Sequence, residues 1–219
     1  MNNYNFKEMS KEEILDVLKE NIWFLKEIED EEIQLRAVKE DGFNIRYIHN
    51  PSERVQLEAV KKNGLAAIQF IHNPSERVQL EAVKKNGLTI KYINNPSEEI
   101  QLEAVKEYGY VIQFIHNPSE EVQLEAVKEN GLAIQYINNP SEEVQLEAVK
   151  EDGYVIKFIN NPSKVVQLEA VKENGLAIKY IYTPSKVVQL EAIKQNRNAI
   201  QYINNPCKSV VDYIELINK

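Results

Sequence analysis

Residues 117–138 read NPSEEVQLEAVKENGLAIQYIN, and close copies of this 22-residue stretch fill most of the chain. Prolines recur every 22 residues from Pro74 to Pro206, and one interval of 23 precedes them because the segment GLAAIQF (64–70) contains an extra residue. Seven copies begin with proline, and an eighth, residues 29–50, lacks the Pro-Ser opening. A fixed period of 20–50 residues is typical of a repeat architecture.

The first half of each copy predicts an α-helix. In the copy that begins at Asn139, the asparagine is in position to cap a helix, Pro140 to be its first residue, and Glu142 to complete a capping box. The ten residues that follow are good helix formers. Asn130-Gly131 and its equivalents then predict the end of the helix, with the glycine in the left-handed conformation.

The second half is a shorter apolar segment, LAIQYI (132–137) in the quoted copy. At about 100° per residue, Leu132, Tyr136 and the two isoleucines cover one half of a helical wheel, whereas Gln135 points the other way. This favours a second helix. A buried β-strand in a β/α horseshoe is the alternative, because a short apolar run fits either structure.

No single 22-residue unit can bury its apolar half alone, so stacking on neighbouring units must supply the core. The sequence therefore predicts an all-α fold, an α-solenoid of about eight helix-pair repeats over residues 29–205. Residues 1–28 are predicted to form N-terminal capping helices, and residues 206–219 a divergent C-terminal capping helix.

The motif VQLEAVKENGLAIQYI resembles the helical repeats catalogued as domain of unknown function 4116, over about residues 29–205. The similarity depends on the A-V-K-x-N-G core and the aromatic segment that follows it. The resemblance implies a helical repeat fold and no particular activity.

The composition excludes several classes of protein. The formal charge is −8 and the sequence pI is near 5.1, which argues against a general affinity for nucleic acids or anionic membranes. A single cysteine fits a reducing compartment. The start of the chain has no apolar run of signal-peptide type, and no stretch approaches the ~18 apolar residues of a membrane span. We expect a cytoplasmic protein whose oligomeric state the sequence does not define.

Three columns of residues repeat in register without indicating chemistry. An unbroken glutamine column (Gln34 to Gln189) predicts buried amides that bind linker carbonyls. A Phe/Tyr column (Tyr47 to Tyr202) predicts core packing in preference to stacking on nucleic-acid bases. His49, His72 and His116 share a third column, but layers ~8–10 Å apart hold them too far from one another for a shared metal. We expect no catalytic residues, no metal, no cofactor and no enzymatic activity.

Charge zoning is the strongest functional signal. Residues 96–161 contain 13 acidic and 4 basic residues, whereas the flanking segments 51–95 and 162–205 each carry a net charge of +3. The acidic zone predicts a partner-binding stripe formed by Glu98, Glu99, Glu107, Glu120, Glu121, Glu129, Glu142, Glu143 and Glu151. If the second helices line a concave side, that face offers further contacts from Lys91, Gln113, Gln135, Lys157 and Lys179.

These features predict a non-enzymatic scaffold whose acidic stripe binds a protein with a basic surface, while its polar concave face holds an extended peptide. The alternative is an inhibitor of phage or mobile-element type, whose glutamate pairs imitate nucleic-acid phosphates and block a nuclease or another nucleic-acid-binding enzyme. Direct nucleic-acid binding through the basic end copies is a third hypothesis, and the net charge weighs against it. Val165, Val187 and Tyr182 are expected to form a small exposed apolar patch.

Overall fold

A computed structural model describes residues 4–217 of the protein. Ten α-helices alternate with short 3-10 helices in this part of the chain, which contains no β-strand. The α-solenoid prediction is therefore confirmed, and the horseshoe alternative is wrong. The α-helices are α1 (Lys11–Glu20), α2 (Glu31–Glu40), α3 (Glu53–Ile68), α4 (Glu76–Lys85), α5 (Glu98–Glu107), α6 (Glu120–Glu129), α7 (Glu142–Glu151), α8 (Lys164–Glu173), α9 (Lys186–Gln195) and α10 (Lys208–Ile217).

The second helix of nearly every pair is a six-residue 3-10 helix. These are η1 (Ile22–Glu27), η2 (Gly42–Tyr47), η3 (Gly87–Tyr92), η4 (Gly109–Phe114), η5 (Gly131–Tyr136), η6 (Gly153–Phe158), η7 (Gly175–Tyr180) and η8 (Arg197–Tyr202). A 3-10 helix has 3.0 residues per turn, so side chains three positions apart are aligned. In η5 this aligns Gly131, Ile134 and the C-capping Ile137, and all three are buried.

In the copies that open with proline, each α-helix begins two residues later than the sequence predicted. Ser141 is the N-cap of α7, and its hydroxyl accepts a hydrogen bond from the Val144 N–H at 3.3 Å. Pro140 therefore precedes the helix, and Asn139 lies before it in the left-handed region with φ 50°. The predicted capping box is wrong here, because the third helical residue is Val144, which has no acceptor to return the bond.

The predicted left-handed glycine at the helix end is also wrong, since no glycine among the described residues has a positive φ. Asn130 ends α6 in an extended conformation and at the same time caps η5, because its side-chain oxygen accepts from the Leu132 N–H at 3.0 Å. Gly131 is required for close packing: a Cβ there would lie 2.8 Å from the carbonyl oxygen of Ala148 in the next repeat. Six repeats share this glycine–alanine approach.

The extra residue of segment 64–70 changes the second helix of its own repeat. There the chain kinks at Asn63 (φ −152°) and continues as α-helix to Ile68 instead of winding as a 3-10 helix. The rise per residue is ~1.5 Å in an α-helix and ~2.0 Å in a 3-10 helix. The tighter rise of the α-helical part, Gly64 to Ile68, offsets part of the length that the extra residue adds.

The chain divides into two compact units, Met1–Ala104 and Val105–Lys219. In the second unit α6 to α10 contact one another in series, and η4 to η8 do likewise. In the first unit α2, α3 and α4 pack in the same way, and η1 contacts η2. Each unit thus has an α layer and a layer of second helices, with the Val, Ile and Ala side chains buried within and between the layers.

The N-terminal end of the described chain repeats the helix pairing of the inner repeats, whereas the C-terminal end does not. Helices α1 and η1 form a pair of the same type as the others, and Tyr4 and Phe6 pack on Phe24, with ring centroids 5.3 and 5.7 Å from that ring. Helix α10 has no 3-10 helix after it within the described residues. None of the helices that the structure describes has both the length and the apolarity needed to cross a membrane.

Candidate binding surfaces

The aromatic column lies at the surface, so its predicted role in core packing is wrong. Seven of its eight rings are 36–43% exposed: Phe70, Tyr92, Phe114, Tyr136, Phe158, Tyr180 and Tyr202. The wheel at 100° per residue placed Tyr136 with Leu132 on the buried side. The 3-10 winding turns 120° per residue and aligns Leu132 with Gln135, and both are exposed. Tyr136 aligns instead with the buried Ala133, yet 42% of its own surface is exposed.

The predicted concave-face contacts lie beside these rings. Lys91, Gln113, Gln135, Lys157 and Lys179 are each the fifth residue of a 3-10 helix, and all are exposed. The lysine ammonium groups sit over neighbouring rings: Lys157 Nζ lies 4.7 Å from the centroid of Phe158, and Lys179 Nζ lies 5.6 and 5.7 Å from those of Tyr180 and Tyr202. We call the exposed side of η4 to η8 the 3-10 face.

A cavity of about 430 Å³ opens on the 3-10 face toward its C-terminal end. Its lining includes Tyr154, Lys157, Leu176, Lys179, Tyr180 and Tyr202. Tyr154 meets Tyr180 edge to face, with the ring centroids 6.2 Å apart and the planes at 80°. We call this cavity the ring pocket. It combines three phenol rings with two ammonium groups and thus suits a flat ligand that carries negative charge.

The opening glutamates of the second unit form a separate surface on the α layer. Glu120 and Glu121 occupy the first turn of α6, and Glu142 and Glu143 the first turn of α7, which packs against α6. All four are exposed, and the described residues provide no ion pair to any of them. We call these four residues the opening row. Glu98 and Glu99 hold the equivalent places in α5, in the first unit.

The other predicted stripe residues lie at the opposite helix ends. Glu107, Glu129 and Glu151 are the last residues of α5, α6 and α7, about 13 Å along the helix from the first turn. Two of them have partners within the protein. Glu129 accepts a hydrogen bond from the Gly109 N–H. The charge of Glu107, together with a hydrogen bond to it, raises the pKa of Tyr108. In the second unit the predicted stripe residues thus lie at opposite ends of their helices and do not form one stripe.

The glutamine column has the structural role that the sequence predicted. The side-chain nitrogen of Gln145 donates to the Pro140 carbonyl at 2.9 Å, and the same bond recurs at Gln56, Gln79, Gln101, Gln123, Gln167 and Gln189. Gln34 donates to the Ile28 carbonyl at 2.7 Å. Each amide therefore fixes the linker that precedes its own helix.

The remaining predicted residues are exposed. The three histidines lie at the surface, and nowhere in residues 4–217 do three or more His, Cys, Asp or Glu side chains approach closely enough to hold a metal ion. Val165, Val187 and Tyr182 have 58%, 63% and 100% of their surface exposed, which agrees with the expected exposure of the apolar patch.

The type of helix predicted for the second segments was wrong because α-helical pitch was assumed. The available signal was the length of the segment: only six residues separate the capping Asn130 from the capping Ile137. Six residues make two turns of a 3-10 helix and fewer than two turns of an α-helix.

Two segments of the chain, residues 97–139 and 119–162, match the family described as Domain of unknown function (DUF4116). Each match covers two consecutive repeats, and the second is displaced from the first by one repeat. No curated protein and no solved structure matches the chain. Residues 97–162 are therefore similar to repeats of this family, which confirms the resemblance for the central part of the chain.

Proposed function

We propose that the protein is a non-enzymatic binding scaffold that docks a protein with a basic surface on the opening row. The observation that carries this proposal is the register of four unpaired carboxylates in consecutive repeats. Like charges that face solvent together repel one another unless a partner of opposite sign neutralises them. A basic protein surface supplies that neutralisation and gains orientation and a faster encounter rate from it.

The first unit shows how the same helix positions look when they are internally paired. There Arg54, in the first turn of α3, forms an ion pair with Glu31 of α2 at 3.5 Å. Glu53 accepts a hydrogen bond from the Ser75 hydroxyl at 2.5 Å. The opening row lacks such arginines, because Glu121 and Glu143 replace them. Its charge is therefore available to a partner.

The proposal includes a cytosolic location, for which a single cysteine is typical. It requires no cofactor. The row would contribute mainly to the rate of association and to specificity, since exposed ion pairs add only about 0–1 kcal/mol each.

Affinity capture with matched variants tests this function. The immobilised protein is incubated with lysate of its own source cells, and retained proteins are identified at low and high salt. We expect a basic protein that the Glu120→Gln, Glu121→Gln, Glu142→Gln, Glu143→Gln variant no longer retains. The control carries Glu8→Gln, Glu20→Gln, Glu27→Gln and Glu40→Gln, four exposed glutamates of the first unit, so the change in net charge is equal.

Equal retention by the quadruple variant and the wild type would contradict the opening row as the docking surface. Equal loss from both variants would show that only net charge matters. Adding DNA or RNA to the captured complex addresses the inhibitor alternative: release of the basic protein indicates that the row occupies its nucleic-acid site.

A further inference from the structure

We propose that the ring pocket and the adjoining 3-10 face bind nucleotide units, stacking bases on the exposed rings and neutralising phosphates with Lys157 and Lys179. This inference is independent of the opening row, which lies on the α layer. The nucleotide is either free or part of a single-stranded nucleic acid, because both present a flat ring next to a phosphate.

First, the aromatic rings are exposed although contact with water is unfavourable for an apolar ring. Tyr136, Phe158, Tyr180 and Tyr202 leave 37–42% of their surface in water, one ring in each consecutive repeat. Exposed apolar surface that is clustered in one place is typical of a binding site, and Tyr154, Tyr180 and Tyr202 line one cavity. Phe and Tyr replace one another in the column, so its contacts come from ring faces and not from hydroxyl groups. Every base offers a complementary face.

The second step is the charge beside the rings. Lys179 Nζ lies between the rings of Tyr180 and Tyr202, within 6 Å of both centroids, and Lys157 is held over Phe158 in the same manner. The pocket lining contains two lysines, Lys157 and Lys179, and one carboxylate, Asp152, so it carries a net positive charge. The Asp152 side chain accepts a hydrogen bond from the Tyr154 N–H at 2.8 Å. The negative net charge of the whole chain therefore does not describe this pocket.

The third step is the spacing of the rings. Packed helical layers lie ~8–10 Å apart, too far for bases that remain stacked on one another as in a duplex. Bases splayed one per repeat require a single strand, which is how other helical repeat proteins bind RNA. An acidic peptide would match the lysines but offers no flat rings to the column. The combined pattern favours nucleotides.

Fluorescence anisotropy with a labelled single-stranded dT oligonucleotide and a labelled U oligonucleotide tests this inference. We expect binding at about 50 mM salt that weakens as salt rises. The Lys157→Gln, Lys179→Gln variant should bind about tenfold or more weakly, and its plot of log K against log salt should lose roughly 1.4 in slope, at about 0.7 per phosphate of a single strand. Tyr180→Ala should also lose about tenfold, whereas Tyr180→Phe should retain binding.

The matched control is Lys172→Gln, Lys194→Gln. These lysines lie in the last turns of α8 and α9, where they pair with Glu169 and Glu191 at 3.1 and 3.8 Å. The control removes the same charge from the other layer, in the repeat of Lys179 and in the repeat that follows it, and we expect its affinity to stay within about twofold of the wild type. Circular dichroism spectra verify that every variant is folded.

Three results would overturn the inference. They are no binding of the oligonucleotide at low salt, equal weakening of binding in the control variant, or displacement of the labelled oligonucleotide by polyglutamate at the same concentration of negative charges as unlabelled oligonucleotide. Nucleoside monophosphates distinguish the two sources of the ligand. Competition by the free nucleotide assigns the pocket to mononucleotides, and competition by oligonucleotides alone assigns it to a strand.

Discussion

The glutamine of each repeat stabilises the fold from a position that looks misplaced on a helical wheel. Gln145 lies among apolar residues, yet its side-chain nitrogen bonds the Pro140 carbonyl, which leads directly into the Ser141 cap. The bond ties each linker to its helix. Such a carbonyl is costly to leave without a donor.

Replacing Gln145 with leucine should lower the free energy of unfolding by about 1–2 kcal/mol, because the linker carbonyl loses its donor while the packing volume changes little. Gln135→Leu is the control, since Gln135 is exposed and its side-chain nitrogen donates only to the Leu132 carbonyl of its own helix. That substitution should change the free energy of unfolding by no more than about 0.5 kcal/mol. Urea denaturation measures both, and equal effects would contradict the structural role of the column.

Glycine is required in this fold because the backbone of the next repeat lies too close to admit a Cβ, and not because the glycine has a positive φ. A Cβ on Gly153 would lie 2.4 Å from the Ala170 carbonyl oxygen, whereas a Cβ on Gly64 would lie 3.2 Å from both the Ala82 oxygen and the Lys85 Cβ. Gly153→Ala should therefore destabilise the protein by about 1–3 kcal/mol. Gly64→Ala should cost less, because a shift of a few tenths of an ångström relieves it. Thermal unfolding of the two variants tests this, and Gly153→Ala should have the lower midpoint temperature. The reverse order would show that the conformational entropy of the unfolded chain dominates.

At the scale of single elements, the caps determine where each helix starts and stops, and one of them predicts a pH dependence. Asp30 caps α2 by accepting from the Ile33 and Glu32 N–H groups and pairs with Lys11 at 3.2 Å. The bond from Ile33, with those from Lys11 and Glu32, holds the pKa of Asp30 below its usual value.

A carboxyl whose pKa is lower in the folded protein stabilises the fold above its unfolded pKa of about 3.9. That contribution is lost as the pH falls through the folded pKa. Asp30→Asn keeps an acceptor for the cap but cannot ionise, so its free energy of unfolding should fall less between about pH 5 and pH 2.5 than that of the wild type. Urea titrations across this range measure the difference, and parallel curves for the two proteins would contradict the assignment.

The repeat period, the all-helical class and the first helices were predictable because 22-residue spacing and a ten-residue run of helix formers identify them. The pitch of the second helices was not. The segment LAIQYI (132–137) has a plausible apolar face at either 100° or 120° per residue. Only the positions of the capping residues distinguish an α-helix from a 3-10 helix. Neither pitch alone places Tyr136 at the surface, because at 120° per residue it aligns with the buried Ala133. The exposure of the aromatic column, and with it the 3-10 face, was therefore not predictable from this segment.

At the scale of the whole molecule, stacking identical units produces rows of identical side chains. A surface feature of one repeat therefore recurs in the repeats stacked next to it. The acidic row and the aromatic column are two such rows on the two layers of the second unit. Their separation on different helices lets one surface be altered without the other, which is why the two proposals can be tested independently.

The central claim is that the aromatic side chain at the end of the second helix of each repeat faces solvent. Hydroxyl-radical footprinting read by mass spectrometry tests it over the full chain in one experiment. We expect reactivity maxima every 22 residues at Tyr92, Phe114, Tyr136, Phe158, Tyr180 and Tyr202, with protected isoleucines two residues earlier and one residue later. Aromatic residues as protected as those isoleucines would contradict the account.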